Sequence, residues 1–244
     1  MNRSQSAIII IIVLIVSVGT FYTFVWNKVD SVVNPRDPKK EILDGERKQY
    51  YQDGRIRSVI NYNQGVKHGP STLFHPDGKT VLLSIPYQYG KREGISKKYY
   101  RTGEIYAETS YKDDLLHGAR KVYYRAGPVK SIVNYYQGHP GIGTEEFLTS
   151  GKKKPSIEIE QRRSGTTIEY TTSEGCVDAR FYIGQLIEGK FFDSLSDDVE
   201  ELPRTEGYHY LNTSIANKTE AAMVICSCKS TQGNPIVLSR PITW

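Results

Sequence analysis

The chain has 244 residues, 38% hydrophobic and 24% charged, proportions that exclude a disordered polypeptide and admit one long domain or two small ones. Tyrosine stands at 18 copies against two Met and two Trp, which suits sheets faced with aromatics rather than a helical core. The net charge of +5 is uneven: residues 28–140 carry 20 basic and 12 acidic side chains, residues 141–244 carry 11 and 15. A basic first part selects anionic partners, acidic protein patches or lipid headgroups, unless it is only a solvated face. Nucleic acid is not expected, because no recognition helix, RNP signature or basic helix accompanies the charge.

Residues 7–26 carry no charge and begin AIIIIIVLIVSV. As a helix they extend about 30 Å, the thickness of a bilayer core. Tyr22 and Trp26 fall at the far end, where amphipathic rings prefer the interface. A cleaved signal peptide is the competing reading, since Ser17 and Gly19 form a small-x-small pair. The apolar stretch runs on through Phe21, Phe24 and Val25, which favours an uncleaved anchor over residues 1–26. Lys28, Arg36, Lys39 and Lys40 beyond it outnumber Arg3 before it, a bias that taken literally keeps the large part cytoplasmic. A short tail ahead of a single anchor usually stays inside, and long domains translocate largely regardless of charge. The expected topology is therefore a single-pass protein of the inner (cytoplasmic) membrane with its C-terminal part periplasmic or otherwise extracytoplasmic. Residues 27–47, with Pro35 and Pro38 and no apolar periodicity, read as a linker.

Glycine then recurs at Gly54, Gly78, Gly103, Gly127 and Gly151, in steps of 24 or 25 residues. Tyr62, Tyr87, Tyr111 and Tyr135 keep the same step, and Gly65, Gly90 and Gly138 follow three residues behind their tyrosines. Two turns per unit mean two strands per unit. So small a unit cannot bury its own apolar face, so stacked copies are expected. Asp53-Gly54 predicts a type I′ turn. The strand after it sends Ile56, Ser58, Ile60 and Tyr62 to one face and Arg57, Val59 and Asn61 to the other. The same parity returns in Ile105, Ala107, Thr109 and Tyr111 and in Val129, Ser131, Val133 and Tyr135. The second unit has one extra residue between Gly78 and Tyr87, and a bulge at Pro86 is expected to absorb it. Return strands start after Gly69, Gly94 or Gly118 and end on Phe74, Tyr99 with Tyr100, Tyr123 with Tyr124, and Phe147.

A tyrosine, a glycine three residues on, a second glycine four further preceded by His or Glu, and then an aromatic resembles the MORN repeat. The variant spacing, with Gly-x-(Ile/Val) after a tight turn, is similar to the divergent MORN type of the YwqK family of bacterial antitoxin-like proteins. The resemblance covers about residues 48–147 and gives four hairpin repeats over residues 48–150. It implies an all-β fold, an elongated antiparallel β-meander, here preceded by one N-terminal transmembrane helix. It implies contact with a protein partner, a toxin or an envelope complex, or with membrane. No chemistry is implied, hence no catalytic residue, cofactor, metal or small-molecule substrate. The third copy departs with Asp114 where glycine is expected, and the fourth has Pro140-Gly141 in place of His-Gly, which argues against uniform binding by every repeat.

Gly175 lies one further period past Gly151, and Phe181, Gly184, Glu188 and Gly189 echo the repeat string. Residues 151–193 therefore read as two degenerate repeats, with strands over residues 156–161 and 166–172. Residues 194–204 are acidic and read as a loop, opening a C-terminal β capping region over residues 194–244. Its apolar runs, residues 221–228 and 235–242, are expected to close or cap the sheet.

Candidate site residues are few. Tyr62, Tyr87, Tyr111 and Tyr135 form an aromatic ladder that either lines a ligand groove or simply covers the sheet. His68 and His117 share a phase but lie four strands apart, roughly 19 Å, too far to share a zinc, and each is expected to bond local backbone. Cys226 and Cys228 share a strand face; outside the cytoplasm Cys176 joins one of them, Cys228 being the candidate, whereas in the cytoplasm all three are small buried residues. The neighbours Glu145-Glu146, Asp197-Asp198 and Glu200-Glu201 point to opposite faces of a strand and read as solvated surface. There is no phosphate loop, G-x-S-x-G elbow or H-E-x-x-H motif. The expected function is that of a non-catalytic, membrane-anchored scaffold docking a protein partner, with an antitoxin or immunity role as its narrower form. Contact of the repeat sheet with anionic lipid headgroups is the alternative, and an enzyme with a site assembled from scattered loops is the third reading.

Overall fold

The computed structural model describes residues 42–205, 208–213 and 222–242. The expected N-terminal helix and most of the linker lie outside them; among the described residues no helix is long and apolar enough to cross a membrane. What is described is all β. An 11-stranded antiparallel sheet takes up β1 (Gly45–Tyr50), β2 (Ile56–Asn63), β3 (Val66–Phe74), β4 (Val81–Gln88), β5 (Lys91–Arg92) and β6 (Gly94–Tyr99). It continues through β7 (Ile105–Lys112), β8 (Leu115–Tyr123), β9 (Val129–Tyr136), β10 (His139–Pro140) and β11 (Glu145–Glu146). Each strand pairs with its neighbours in sequence, the short β5 and β11 pairing with β4 and β9, so this part is a meander.

Two kinds of turn alternate along it, and the one at Asp53-Gly54 differs from the sequence expectation. Asp53-Gly54 is not type I′, because only Gly54 has positive φ, 81°. Gly54 N–H bonds Tyr51 O at 3.0 Å and Tyr51 N–H bonds Arg55 O at 2.8 Å, with a register shift at Gln49/Tyr50. That is a type I turn closed by a glycine bulge, in which the left-handed residue follows the turn. The type I′ turns sit at the other end of each hairpin. Gln64 and Gly65 have φ of 49° and 84°, and Tyr89-Gly90, Asp113-Asp114 and Gln137-Gly138 repeat the pair.

The extra residue of the second unit also lies elsewhere than expected. His75 N–H reaches Thr80 O, one residue further than the equivalent bonds from Tyr51, Tyr100 and Tyr124, so the turn around Gly78 absorbs it. Asp77 closes this longer turn, its Oδ1 accepting from the backbone N–H of Lys79 at 2.9 Å and of Thr80 at 2.8 Å. Pro86 pairs in register with Pro70. The shift between the β4–β6 and β4–β5 registers recurs between Ile60 and Tyr62 and between Thr109 and Tyr111, so it belongs to every copy.

Both margins of the sheet are stitched from one copy to the next. On one, Gly65, Gly90, Asp114 and Gly138 donate their N–H to the carbonyls of Leu43, Lys67, Arg92 and Leu116, at 2.8 to 3.1 Å. On the other, the hydroxyls of Tyr51, Tyr100 and Tyr124 donate to the carbonyls of Phe74, Tyr123 and Phe147, each at 2.8 Å and 23 residues on. His75 takes the tyrosine's place in the second copy, and its Nε2 is buried without a partner among the described residues.

After residue 151 the chain leaves the meander. Where degenerate repeats were expected, β12 (Ile159–Ser164) and β13 (Thr167–Thr172) begin a separate four-stranded sheet, completed by β16 (Arg204–Thr205) and β17 (Tyr208–Asn212). A third sheet runs in the order β15 (Val199–Glu201), β14 (Cys176–Gly184), β18 (Met223–Ser230), β19 (Pro235–Pro241). Ile168, Tyr170 and Leu211 from one sheet and Phe181, Val224, Cys226 and Ile236 from the other share a buried core. This is a β-sandwich. On the far side of the third sheet, Tyr182, Ile225 and Val237 pack with Leu186, Phe192 and Ile142. The third sheet is thus covered on both faces, which explains why β18 reads as a near-continuous apolar run. Cys176 and Cys228 are joined as a disulfide with Cα atoms 5.8 Å apart, while Cys226 is free and buried.

The sandwich docks on the last copy of the meander. The Glu146 carboxylate accepts from Ser230 Oγ and from Asn234 Nδ2 at 2.6 Å, and Ser131 Oγ bonds Asn234 Oδ1 at 3.3 Å. Thr144 Oγ1 donates to Pro235 O at 2.8 Å, and Ile142 bridges Val237. Ser131 and Val133 are almost fully buried beneath this contact.

Candidate functional site

The register sorts the meander's side chains onto two faces. Tyr62 on β2, Tyr87 on β4, Tyr111 on β7 and Tyr135 on β9 lie on the same face, in step, as the parity requires. Three of them stand across the ladder from a glycine of the preceding copy: Gly69↔Tyr87, Gly94↔Tyr111 and Gly118↔Tyr135. A large ring beside a residue with no side chain is how a sheet keeps that surface closed.

Cations fill the gaps between the rings. Lys67 pairs across the strand with Tyr62 and places its Nζ 4.9 Å from the Tyr87 ring centroid. Arg92 pairs with Tyr87 and stacks 4.2 Å over Tyr111. The order along the face is therefore tyrosine, Lys67, tyrosine, Arg92, tyrosine, each cation–π contact being worth about 0.5–1 kcal/mol at an exposed site. Leu116 and Pro140 take the cation's position in the last two copies. Burial pushes the Tyr135 hydroxyl up in pKa.

Asp114, the departure from the repeat pattern, has a role in this row. It adopts φ of 69°, tolerated by Asp better than by most residues, and its Oδ1 accepts from the backbone N–H of Arg92 at 2.9 Å and from Arg92 Nε at 3.0 Å. Arg92 Nη2 also donates to Asp114 O at 2.7 Å. These bonds from Arg92, its backbone N–H first, hold the Asp114 carboxyl below the usual carboxylate range. The guanidinium is thus fixed in position before any ligand arrives.

Beside the row lies a recess of about 290 Å³, lined by Leu83, Ile85, Ser96, Lys98, Thr109 and Arg120, with Arg92 and Tyr111 at its margin. Ser96 and Ala107 are small and buried, which sinks its floor. Arg47, Lys67, Arg92, Lys98 and Arg120 all project from this face of the strands, against a single strand carboxylate, Glu146, which the sandwich covers. Among the described residues Lys67, Lys98 and Arg120 have no carboxylate partner. The opposite face is mixed, with Glu46, Glu108 and Glu145 beside Lys48, Lys97 and Lys121.

His68 and His117 lie on that opposite face, and the expectation that they bond local backbone is replaced by ring packing. His68 meets Tyr89 edge-on at 5.6 Å and His117 meets Tyr136 at 5.2 Å, each on the next copy's turn strand. Glu93, in the same phase, accepts from the Asp113 backbone N–H at 2.9 Å. All three residues support the neighbouring turn. A cavity of about 970 Å³ lies in the sandwich, with Asp197, Asp198, Glu200, Tyr210 and Asn212 among its lining. Among the described residues, none lining it is His, Cys, Ser or Lys.

The repeat geometry is matched by sequence comparison. The family described as MORN repeat variant matches residues 43–64 and 92–113, each match running from β1 or β5 through the glycine-bulge turn to the next type I′ turn. These two segments are MORN-type repeats. The other copies of the meander hold the same phase between and after those two matches. MORN repeats generally serve as membrane- or protein-binding scaffold modules and are typically non-enzymatic. No curated protein matches the chain.

Proposed function

We infer that this MORN-type chain is a non-catalytic scaffold, held at the bacterial cell envelope by residues 7–26, whose tyrosine- and cation-bearing face docks a protein partner. The observation that carries the reading is that face: rings and cations alternating from Tyr62 to Tyr111, with no exposed strand carboxylate. Tyrosine and arginine are the residues enriched where proteins meet, since they contribute large contact area at low entropic cost. The narrower role, an antitoxin or immunity protein of the YwqK kind that occludes a toxin, is supported by the resemblance of the repeats alone. An extracytoplasmic domain is part of the proposal and is checked by a topology reporter fused after Trp244.

Site-specific photo-crosslinking in cells tests the docking reading. A crosslinker at Tyr111 is expected to capture one defined protein, while the same group at Lys112, on the opposite face of β7, captures none. Equal capture at both positions, or none at either, removes the reading.

A further inference from the structure

The recess beside Arg92 has a chemistry that specifies its occupant more narrowly than a scaffold role requires. We propose that it takes an extended, carboxylate-rich segment of the protein partner, with Lys98 and Arg120 as paired anchors and Arg92 as the pre-positioned third. This rests on the docking reading above. Lys98 on β6 pairs with Ala107 and Arg120 on β8 with Thr109, so their Cα atoms stand two strand spacings across and two residues along from each other, roughly 12 Å. Alternate residues of an extended peptide are about 7 Å apart and point the same way. Long cationic side chains close the difference, so acidic residues at positions i and i+2 meet one cation each.

The walls fit the rest of such a segment. Leu83, Ile85 and Tyr111 offer apolar contact and the Thr109 hydroxyl polar contact, while the Ser96 hydroxyl at the floor is already donated to Ser84 O at 3.1 Å. Arg92 is already held by Asp114 and stacked on Tyr111, so little of its rotamer entropy remains to be lost on binding. A flat anionic bilayer is the poorer match. The hairpin of β18 and β19 stands on this same face at the last copy, contacting Ser131 and Glu146, and a planar surface meets it before it reaches the recess.

The test uses the full-length chain in neutral detergent micelles and a fluorescent ten-residue peptide of alternating Glu and Ser, read by anisotropy at low salt. Wild type is expected to bind it, with affinity falling steeply as salt screens the contact. Lys98→Glu with Arg120→Glu is expected to weaken binding at least tenfold. Lys112→Glu with Lys121→Glu, the same change in net charge on the other face, is expected to change it less than twofold. Both double variants are checked for unchanged thermal unfolding. Equal loss in the two doubles, no binding at low salt, or binding only to phosphatidylglycerol vesicles overturns the proposal. If the Tyr111 crosslink persists in the Lys98/Arg120 double variant, the recess is not the contact while the scaffold reading stands. If the crosslink never forms, the scaffold reading itself fails, whatever the peptide does.

Discussion

Tyr124 shows how much a single hydroxyl carries in this fold. Its ring closes one turn while its oxygen donates to Phe147 O in the following copy, a bond within a half-buried margin. Removing the hydroxyl leaves that carbonyl short of a partner, so Tyr124→Phe is expected to cost about 1 kcal/mol in urea-induced unfolding. Tyr62→Phe, on a ring with no such bond, serves as the control and is expected to change stability far less. The two tyrosine series look alike in the sequence, since both recur with the repeat. Only the one at the turn joins copies, and the other carries the candidate contact surface. Arg92 and Lys67 show the same: their shared phase, five residues after a tyrosine, was present in the sequence, but a 25-residue spacing between two cations looks like chance until the strand register puts them over the rings.

At the level of the hairpin, glycine periodicity and strand parity made the meander legible, along with the shared face of Tyr62, Tyr87, Tyr111 and Tyr135. The turn types were not, because Asp-Gly is compatible with both a type I′ turn and a type I turn with a glycine bulge. The choice depends on which strands must twist together on either side. The long turn at Gly78 is the clearest case: one inserted residue is accommodated by Asp77, whose carboxyl accepts two backbone N–H groups. Those bonds, from Lys79 first and then Thr80, lower its pKa from 3.8 to about 2. Because the folded value lies below the unfolded one, the stabilisation is fully present above about pH 4 and is lost as pH falls toward about 2. Carboxyl NMR titration is expected to show the low midpoint, and Asp77→Ala is expected to remove that part of the acid sensitivity. A midpoint near 4 would contradict the turn geometry.

Across the whole molecule, the join between meander and sandwich was invisible in the sequence. Its bonded partners, Ser131 and Glu146 with Ser230 and Asn234, lie 84 to 103 residues apart; Ser131 read as one more strand residue of the repeat and Glu146 as solvated surface. The sandwich itself escaped because Gly175 keeps the repeat phase and the Phe181 string echoes the repeat, with altered gaps, while their strands pair elsewhere. Glu146 is one-tenth exposed, and its neighbour Glu145 pairs with Lys153 in the open. Glu146→Ala leaves Ser230, Asn234 and Lys154 short of an acceptor and is expected to cost about 2–3 kcal/mol. In calorimetry the single transition is then expected to split into two, one for each part. Glu145→Ala is expected to stay within about 0.5 kcal/mol and to keep one transition.

The stitching of both margins limits how this protein can change in length. Every margin bond reaches the equivalent position one copy along, so losing or gaining a few residues inside a copy misaligns two rows of bonds at once, except where a turn can swell as it does at Gly78. Whole copies are the natural unit of growth or loss. The far end is sealed by the sandwich, so an added copy enters ahead of that join and lengthens the charged aromatic row without disturbing its foundation.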